Sequence, residues 1–442
     1  VGVRVLDAGP DGDGAVARWM VDPVARYLAR WAAGRQLAPA ALLGISLGLA
    51  VPAAAWFSEP AVRARILAIV ALLASFTAAR AAVQLTVTER PGRAVGWLAA
   101  AAGLLTEFAV LAALAVSSGP AGQAGQNAQN GLDGIFGGSL RNTFVATWGG
   151  GGQVGVWRLA VAAMLLLGAR RLAEECYAGV ARASGKILPR PARTIVAQVI
   201  TMPAGERIVV IAVTAVCFGP RLTFVVLLAW GAVAAGYVLA SQVAAAAKLA
   251  AAGTLEHARG LLPAYRGDGP IAYRIGGVVR GQLPPLPPLL VGLLVVCDLA
   301  FLGVADLSGV LIFGPVMAML LAALGARHAH DGRLDWLVPS LLLTGEGVFL
   351  TGLGFARHVW LPVIFALLAA IITRHLDLAY RAGSARGVPD DTFGLGWDGR
   401  MLLAGFAAGL GIVPFAYAVL AVWLWLLTAW DFLGGWLRAT TN

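Results

Sequence analysis

The residues of this chain best suited to chemistry are a handful of acids, histidines and arginines in its second half. The run HAHDGRLD holds His328, His330, Asp331 and Asp335, and HLDLAYR holds His375, Asp377 and Arg381. Asp390, Asp391, Asp398 and Arg400 follow, and Glu346 stands inside an apolar run. Asp331 and Asp335 have the four-residue spacing of a pair of oxygen ligands for Mg²⁺ or Mn²⁺, although they stand in a turn before an apolar run. With Asp377 and Asp398 they would hold a phosphorylated substrate against the cation. That chemistry requires convergence, because metal–oxygen bonds of roughly 2.0–2.6 Å cannot serve ligands scattered over about 10 Å. The competing reading is that these groups are headgroup-level charges paired with arginines. Glu346, and Glu107 in the first half, lie within apolar runs, where a carboxyl needs either a helix–helix partner or a function. No cofactor follows from the sequence; Mg²⁺ or Mn²⁺ enters only with an active second half.

The elements that must position these groups are set by composition. Of 442 residues 59% are apolar and 13% charged, with mean hydropathy +0.79, which excludes an ordinary soluble protein. Apolar runs of spanning length recur, so the class is an all-α, polytopic helical membrane protein. A net charge of +10 would suggest nucleic acid in a soluble chain. Here the excess lies between apolar runs, where it orients the protein and meets anionic lipid, so membrane lipids are the expected partners and nucleic acid is not. Lys186 and Lys248 are the only lysines; arginine carries the rest, the usage of a GC-rich bacterial genome. Cys176, Cys217 and Cys297 stand alone and mark neither a disulfide framework nor a zinc site.

In order, residues 1–35 form a polar tail and then an interfacial amphipathic helix. Trp19, Val24, Tyr27, Leu28 and Trp31 share one face of that helix, with Arg18, Arg26 and Arg30 largely on the other. Spans are expected at roughly 38–57, 64–85, 94–116, 154–174, 206–218 and 221–243, and again at 284–304, 306–326, 334–356, 358–380, 400–412 and 414–437. The loop 117–153 holds one arginine, while 170–207 holds Arg170, Arg171, Arg182, Lys186, Arg190, Arg193 and Arg207. Positive-inside asymmetry therefore sets the first loop outside and the second inside, with a cytoplasmic N-terminus in a bacterial inner membrane.

The second half echoes the first. Val156-Trp157, Arg171, Glu174 and Tyr177 recur at one offset as Val359-Trp360, Arg374, Asp377 and Tyr380. Trp97-Leu98 and Glu107 recur as Trp336-Leu337 and Glu346, and Gly205-Glu206-Arg207 is answered by Asp398-Gly399-Arg400. Pro23-Val-Ala and Gln36-Leu37 return as Pro270-Ile-Ala and Gln282-Leu283. One such match carries little; four in the same order read as a tandem duplication, about twelve spans in two six-helix repeats. The expected domains are 36–248 and 284–442, joined by a linker and interfacial helix at 249–283. An even span number gives both repeats one orientation, hence a pseudo-dimer within one chain.

Residues 78–107, AARAAVQLTVTERPGRAVGWLAAAAGLLTE, carry a family resemblance together with ARYLARW before them and MPAGERIVVIAV and FGPRLTFVVLL after them. The first 250 residues resemble a CDP-alcohol phosphotransferase (phosphatidyltransferase) domain of phospholipid biosynthesis. Its signature runs Asp, two residues, Asp-Gly, two residues, Ala-Arg, eight residues, Gly, three residues, Asp, three residues, Asp. In that family the four carboxylates hold divalent cations that neutralise the CDP diphosphate while an acceptor hydroxyl displaces CMP. Anchored on Trp97-Leu98 to Val110, the register sets the aspartate positions on Ala78, Ala81, Ala99 and Gly103, and the arginine on Thr86. Alanine and glycine coordinate nothing, and residues 70–106 contain Glu89 as their only acid. The resemblance thus implies the fold without the reaction. From about residue 255, GRLDWLVP, HLDLAYR and GWDGRMLLA resemble an uncharacterised integral-membrane domain fused after such domains. Relatives often carry a nucleotidyltransferase domain and form homodimers, so a separate nucleotidyltransferase and a second copy are the implied protein partners.

Three functions follow from these readings. The first is a membrane protein whose first repeat is a non-catalytic scaffold or lipid-binding unit. The second is a metal-dependent phosphotransferase whose site lies in the second repeat. The third is a lipid or small-molecule transporter built on paired repeats around Glu107 and Glu346.

Overall fold

A computed structural model describes residues 14–89, 93–118, 152–184, 199–251, 262–280, 282–302, 313–328, 330, 332–382 and 392–441. All elements among them are helical, which is how an apolar chain satisfies its backbone without water. Two compact units divide it: Val1–Met164, Arg190–Ala234 and Leu433–Asn442 make the first, Leu165–Pro189 and Ala235–Phe432 the second.

The first unit begins with a π-helical turn, Ala17–Val21, running into α1, Asp22–Gly34. Then come α2 (Pro39–Ser58), α3 (Val62–Glu89), α4 (Arg93–Val116) and the start of α5 (Gly152–Ala183). α6 (Ala204–Cys217) and the start of α7 (Pro220–Ala251) complete it. α2 packs along α3 and α4, and α1 and α6 pack on α3. Small residues permit the close approach: Ala50 and Ala53 of α2 are buried, and Ser46 and Ser75 bond hydroxyl to hydroxyl at 3.1 Å. The interfacial helix differs in one respect from the expectation. Ala17, Val21, Asp22, Ala25, Ala29 and Ala32 are buried, whereas Trp19 (77% exposed) and Tyr27 (73%) point outward together with Arg18 and Arg30. Alanine, whose short side chain lets backbones approach, therefore makes the packing face.

The second unit contains the rest of α5 and α7, a short turn α8 (Leu262–Tyr265), α9 (Pro270–Val278), α10 (Leu286–Leu302) and α11 (Phe313–Leu320). α12 (Val338–Ala356), α13 (Leu361–Ala382), α14 (Gly396–Gly409) and most of α15 (Val413–Thr441) follow. α12 and α13 are its core: their spans are 67% and 72% buried, against 28% for that of α15. Gly168 of α5 lies where a Cβ would come within 2.6 Å of Ile372 on α13, and Ser340 of α12 donates to the Ala169 carbonyl at 2.7 Å.

Among the described residues seven helices are long and apolar enough to cross a membrane: Pro39–Ser58, Val62–Leu85, Gly96–Val116, Pro220–Leu249, Asp335–Ala356, Leu361–Arg381 and Val413–Gly434. The expectation of about twelve counted shorter or more charged segments as well. α6 and α14 have 14 residues each, which reach about 21 Å of a hydrocarbon core roughly 30 Å thick. α5 is 32 residues long and carries Arg158, Arg170, Arg171, Glu174 and Glu175. Part of the expected span 306–326 lies outside the described residues.

Candidate functional site

Glu346, near the middle of α12, is fully buried, and so is Arg400 in the first turns of α14. Arg400 Nε donates to Oε1 at 2.6 Å and Nη2 to Oε2 at 2.9 Å, while Nη1 reaches the Gly394 carbonyl at 2.9 Å. The planar guanidinium matches the carboxylate edge to edge. The acid within this apolar helix is thus held in an ion pair.

A second cluster forms where residues 265–272 meet 394–398. Asp398 accepts backbone N–H groups from Gly269 at 2.6 Å, Ile271 at 3.1 Å and Ala272 at 2.9 Å, capping α9. Burial pushes the Asp398 carboxyl above its ordinary range, and the bonds from Ala272 and Gly269 pull it back down. Asp268 accepts Trp397 Nε1 at 2.7 Å and Arg266 Nε at 2.6 Å. Arg266, wholly buried, also donates to the Ala322 carbonyl at 3.0 Å and lies 3.4 Å from His330 Nε2. Because arginine only donates, His330 Nε2 is the acceptor and Nδ1–H points to the His328 carbonyl, 2.5 Å away. Burial, and next the Arg266 charge, drive His330 down to about 4.

Among the described residues, Asp335 and Asp377 make contacts of their own. Asp335 accepts Gly332 N–H at 2.9 Å. Asp377 binds Arg381 one turn on at 2.8 Å, and Asp431 of α15 receives both Arg374 and Arg381. His375 is buried with Nδ1 3.0 Å from the Ile371 carbonyl. Asp331, Asp390 and Asp391 lie outside the described residues. Among the described residues no three His, Cys, Asp or Glu side chains are grouped to hold a metal ion. Asp335, Asp377 and Asp398 are each committed to a different local contact.

In the first unit, Ala78 and Ala81 are 2% and 0% exposed. Ala99 is half-buried and Gly103 exposed, with open space where a Cβ would stand; the Thr86 side chain is outside the described set. Between the two alanines on α3, Arg80 donates to Asp22 Oδ1 of α1 at 2.6 and 3.1 Å, both residues being buried. Glu107 of α4 pairs with Arg207 of α6 at 2.9 Å, side chains 16% and 15% exposed. Sequence reasoning singled out Glu107, Glu346, Asp398 and Arg400. It missed Asp22, Arg80, Arg266, Asp268 and Asp431. The available signal was that Asp22 and Asp268 each stand one or two residues before a proline in the first turn of a helix.

Comparison with known proteins bears on the second half of the chain. Residues 256–441 match a family of unknown function, DUF5941, in the region expected to be an uncharacterised membrane domain. No CDP-alcohol phosphotransferase family matches. No curated protein and no solved structure matches the chain.

Proposed function

We propose that the chain is a polytopic protein of the bacterial inner membrane, N-terminus cytoplasmic, whose first half is a non-catalytic relative of the CDP-alcohol phosphotransferases serving as scaffold and lipid-contacting unit. The observation that carries this reading is the burial of Ala78 and Ala81, at 2% and 0% exposure. A metal site there would need carboxylates facing a solvated, substrate-accessible cleft, and these positions offer methyl groups packed against protein. In the second half Asp335, Asp377 and Asp398 are committed to a turn, an ion pair and a helix cap, which disfavours a relocated active site.

The proposal includes two tandem six-helix repeats, counting the shorter apolar helices as spans, and backbone geometry within each half supports it. Met202 (φ 49°) precedes the 14-residue α6 and Leu395 (φ 63°) the 14-residue α14, both in the left-handed region. Each short helix ends at a left-handed glycine, Gly219 (φ 92°) or Gly411 (φ 72°), before a long final helix. Each interfacial helix ends at a left-handed residue, Gln36 (φ 54°) or Arg280 (φ 53°). Such non-glycine positions are uncommon, so their recurrence in one order favours descent from one ancestral half. The arginine of each short helix pairs with the intramembrane glutamate of its own half, Arg207 with Glu107 and Arg400 with Glu346.

The test is CMP release by the purified protein in lipid nanodiscs, supplied with a panel of CDP-alcohols and Mg²⁺ or Mn²⁺, beside calorimetric titration of each metal. The expected result is neither turnover nor metal binding. Turnover abolished by Asp377→Asn with Asp398→Asn would overturn the reading in favour of an active second half.

A further inference from the structure

Arg65, the fourth residue of α3, is wholly buried. Its Nη1 donates to the Ala215 carbonyl at 2.8 Å, in the last turn of α6. Its Nε and Nη2 are enclosed and find no partner among the described residues. A guanidinium keeps its charge in proteins, and a buried charge left half-bonded is strongly unfavourable. The Ala215 carbonyl that it binds stands three residues before the break between α6 and α7, where Phe218, Gly219 (φ 92°) and Pro220 turn the chain. α7 begins there; it has 32 residues, and its first N–H groups carry the positive end of the helix dipole. Thr214 and Thr223, 3.0 Å apart through their hydroxyls, bridge the two helices at the same break.

We infer that Arg65 and the start of α7 form a binding site for a phosphate-class oxyanion, either the headgroup phosphate of a phospholipid or free phosphate. Two guanidinium donors fit two phosphate oxygens side by side, and the helix start adds further donors on a short chain segment. Arg65 stands three residues from the end of the span Val62–Leu85, about 5 Å along the axis, at headgroup depth. Ile66, Leu67 and Val70 of α3 are 50%, 49% and 60% exposed beside it, an apolar strip along which acyl chains can lie. Ala78 is thirteen residues further along α3, about 20 Å away, so this site does not depend on whether the first half catalyses.

The experiment measures the unfolding midpoint of delipidated protein in non-ionic detergent against inorganic phosphate and, separately, against phosphatidylglycerol. The wild type is expected to be stabilised saturably, as a ligand of the native state requires. Stabilisation by phosphate alone assigns a free ion; stabilisation by phosphatidylglycerol only assigns a headgroup. Arg65→Gln should abolish the response, and Arg65→Lys, which keeps charge but loses the fork, should weaken apparent affinity about tenfold. If Arg65→Gln does not fold, Arg65→Lys and the wild type decide. No wild-type stabilisation by either ligand, or an undiminished response in the variants, overturns the site.

Discussion

Arg400 holds Glu346 between α14 and α12 in a two-pronged ion pair at 2.6 and 2.9 Å, with side chains 1% and 0% exposed. Removing one partner would leave the other charged and buried. Glu346→Ala and Arg400→Ala should each destabilise the protein by about 3–5 kcal/mol. The double change Glu346→Leu/Arg400→Met should cost less than either alone, because two uncompensated charges vanish together. Thermal unfolding of the four proteins as a double-mutant cycle in detergent checks this; additive losses would mean the pair is not coupled. Glu107→Ala should do less harm, since its pair with Arg207 is 15–16% exposed and partly screened.

Backbone contact makes a sharper prediction at Gly396. Its φ is 62°, and a Cβ would lie 2.2 Å from the Gly269 nitrogen, a backbone atom fixed by its bond to Asp398. Gly396→Ala should therefore cost more than about 3 kcal/mol and release the cap on α9. Gly411 is also left-handed, φ 72°, but has open space around it, so Gly411→Ala should cost only about 1 kcal/mol. Comparing both midpoints with the wild type separates steric from conformational strain; equal losses would refute the close approach.

The contrast between these positions shows what the chain made legible. Helicity and a membrane class followed from apolar runs, and Glu107 and Glu346 stood out because a carboxyl in such a run demands a partner. The partners did not follow. Glu346 and Arg400 are 54 positions apart, and Asp22 and Arg80 are 58, so their meeting depends on helix packing that no local period encodes. Asp331 and Asp335 have the spacing of a ligand pair, yet their place just before an apolar run already reads as a turn. Asp335 opens a 3-10 turn there and bonds Gly332, so the helical spacing rule does not apply to it. The alanine packing face of α1 was hidden for a related reason: aromatic and arginine side chains draw the eye, while close approach is set by the smallest residues.

Acid should destabilise the second unit through His330. Its folded value of about 4 lies below the ordinary 6.5, by burial first and Arg266 next. The unfolded chain therefore binds the proton more readily between those values, and stability rises with pH across that window. Stability fully present above 6.5 should be lost as pH falls toward 4, by on the order of 3 kcal/mol. His330 has φ 53°, which asparagine tolerates, so His330→Asn should fold and flatten this part of the profile. Unfolding midpoints from pH 4 to 8 decide it; an unchanged slope in the variant would assign the acid loss elsewhere.

Restoring a single ligand tests the vestigial site directly. Ala81 is 0% exposed, so Ala81→Asp places a carboxylate in packed surroundings and should destabilise by about 3 kcal/mol or more. Ala81→Ser, smaller and able to bond a carbonyl of the preceding turn, should be milder. The informative arm is Mg²⁺. In a cleft still shaped for cations, millimolar metal would recover part of the lost stability, since a ligand of the native state stabilises by mass action. In a sealed packing contact it recovers nothing, because one new carboxylate in a closed space completes no coordination shell. The burial of Ala78 and Ala81 makes the second outcome the expected one, with unfolding midpoints of Ala81→Asp identical in Mg²⁺ and in chelator. A rise with Mg²⁺ alone would show that the scaffold has kept a metal-sized cleft and lost only its ligands.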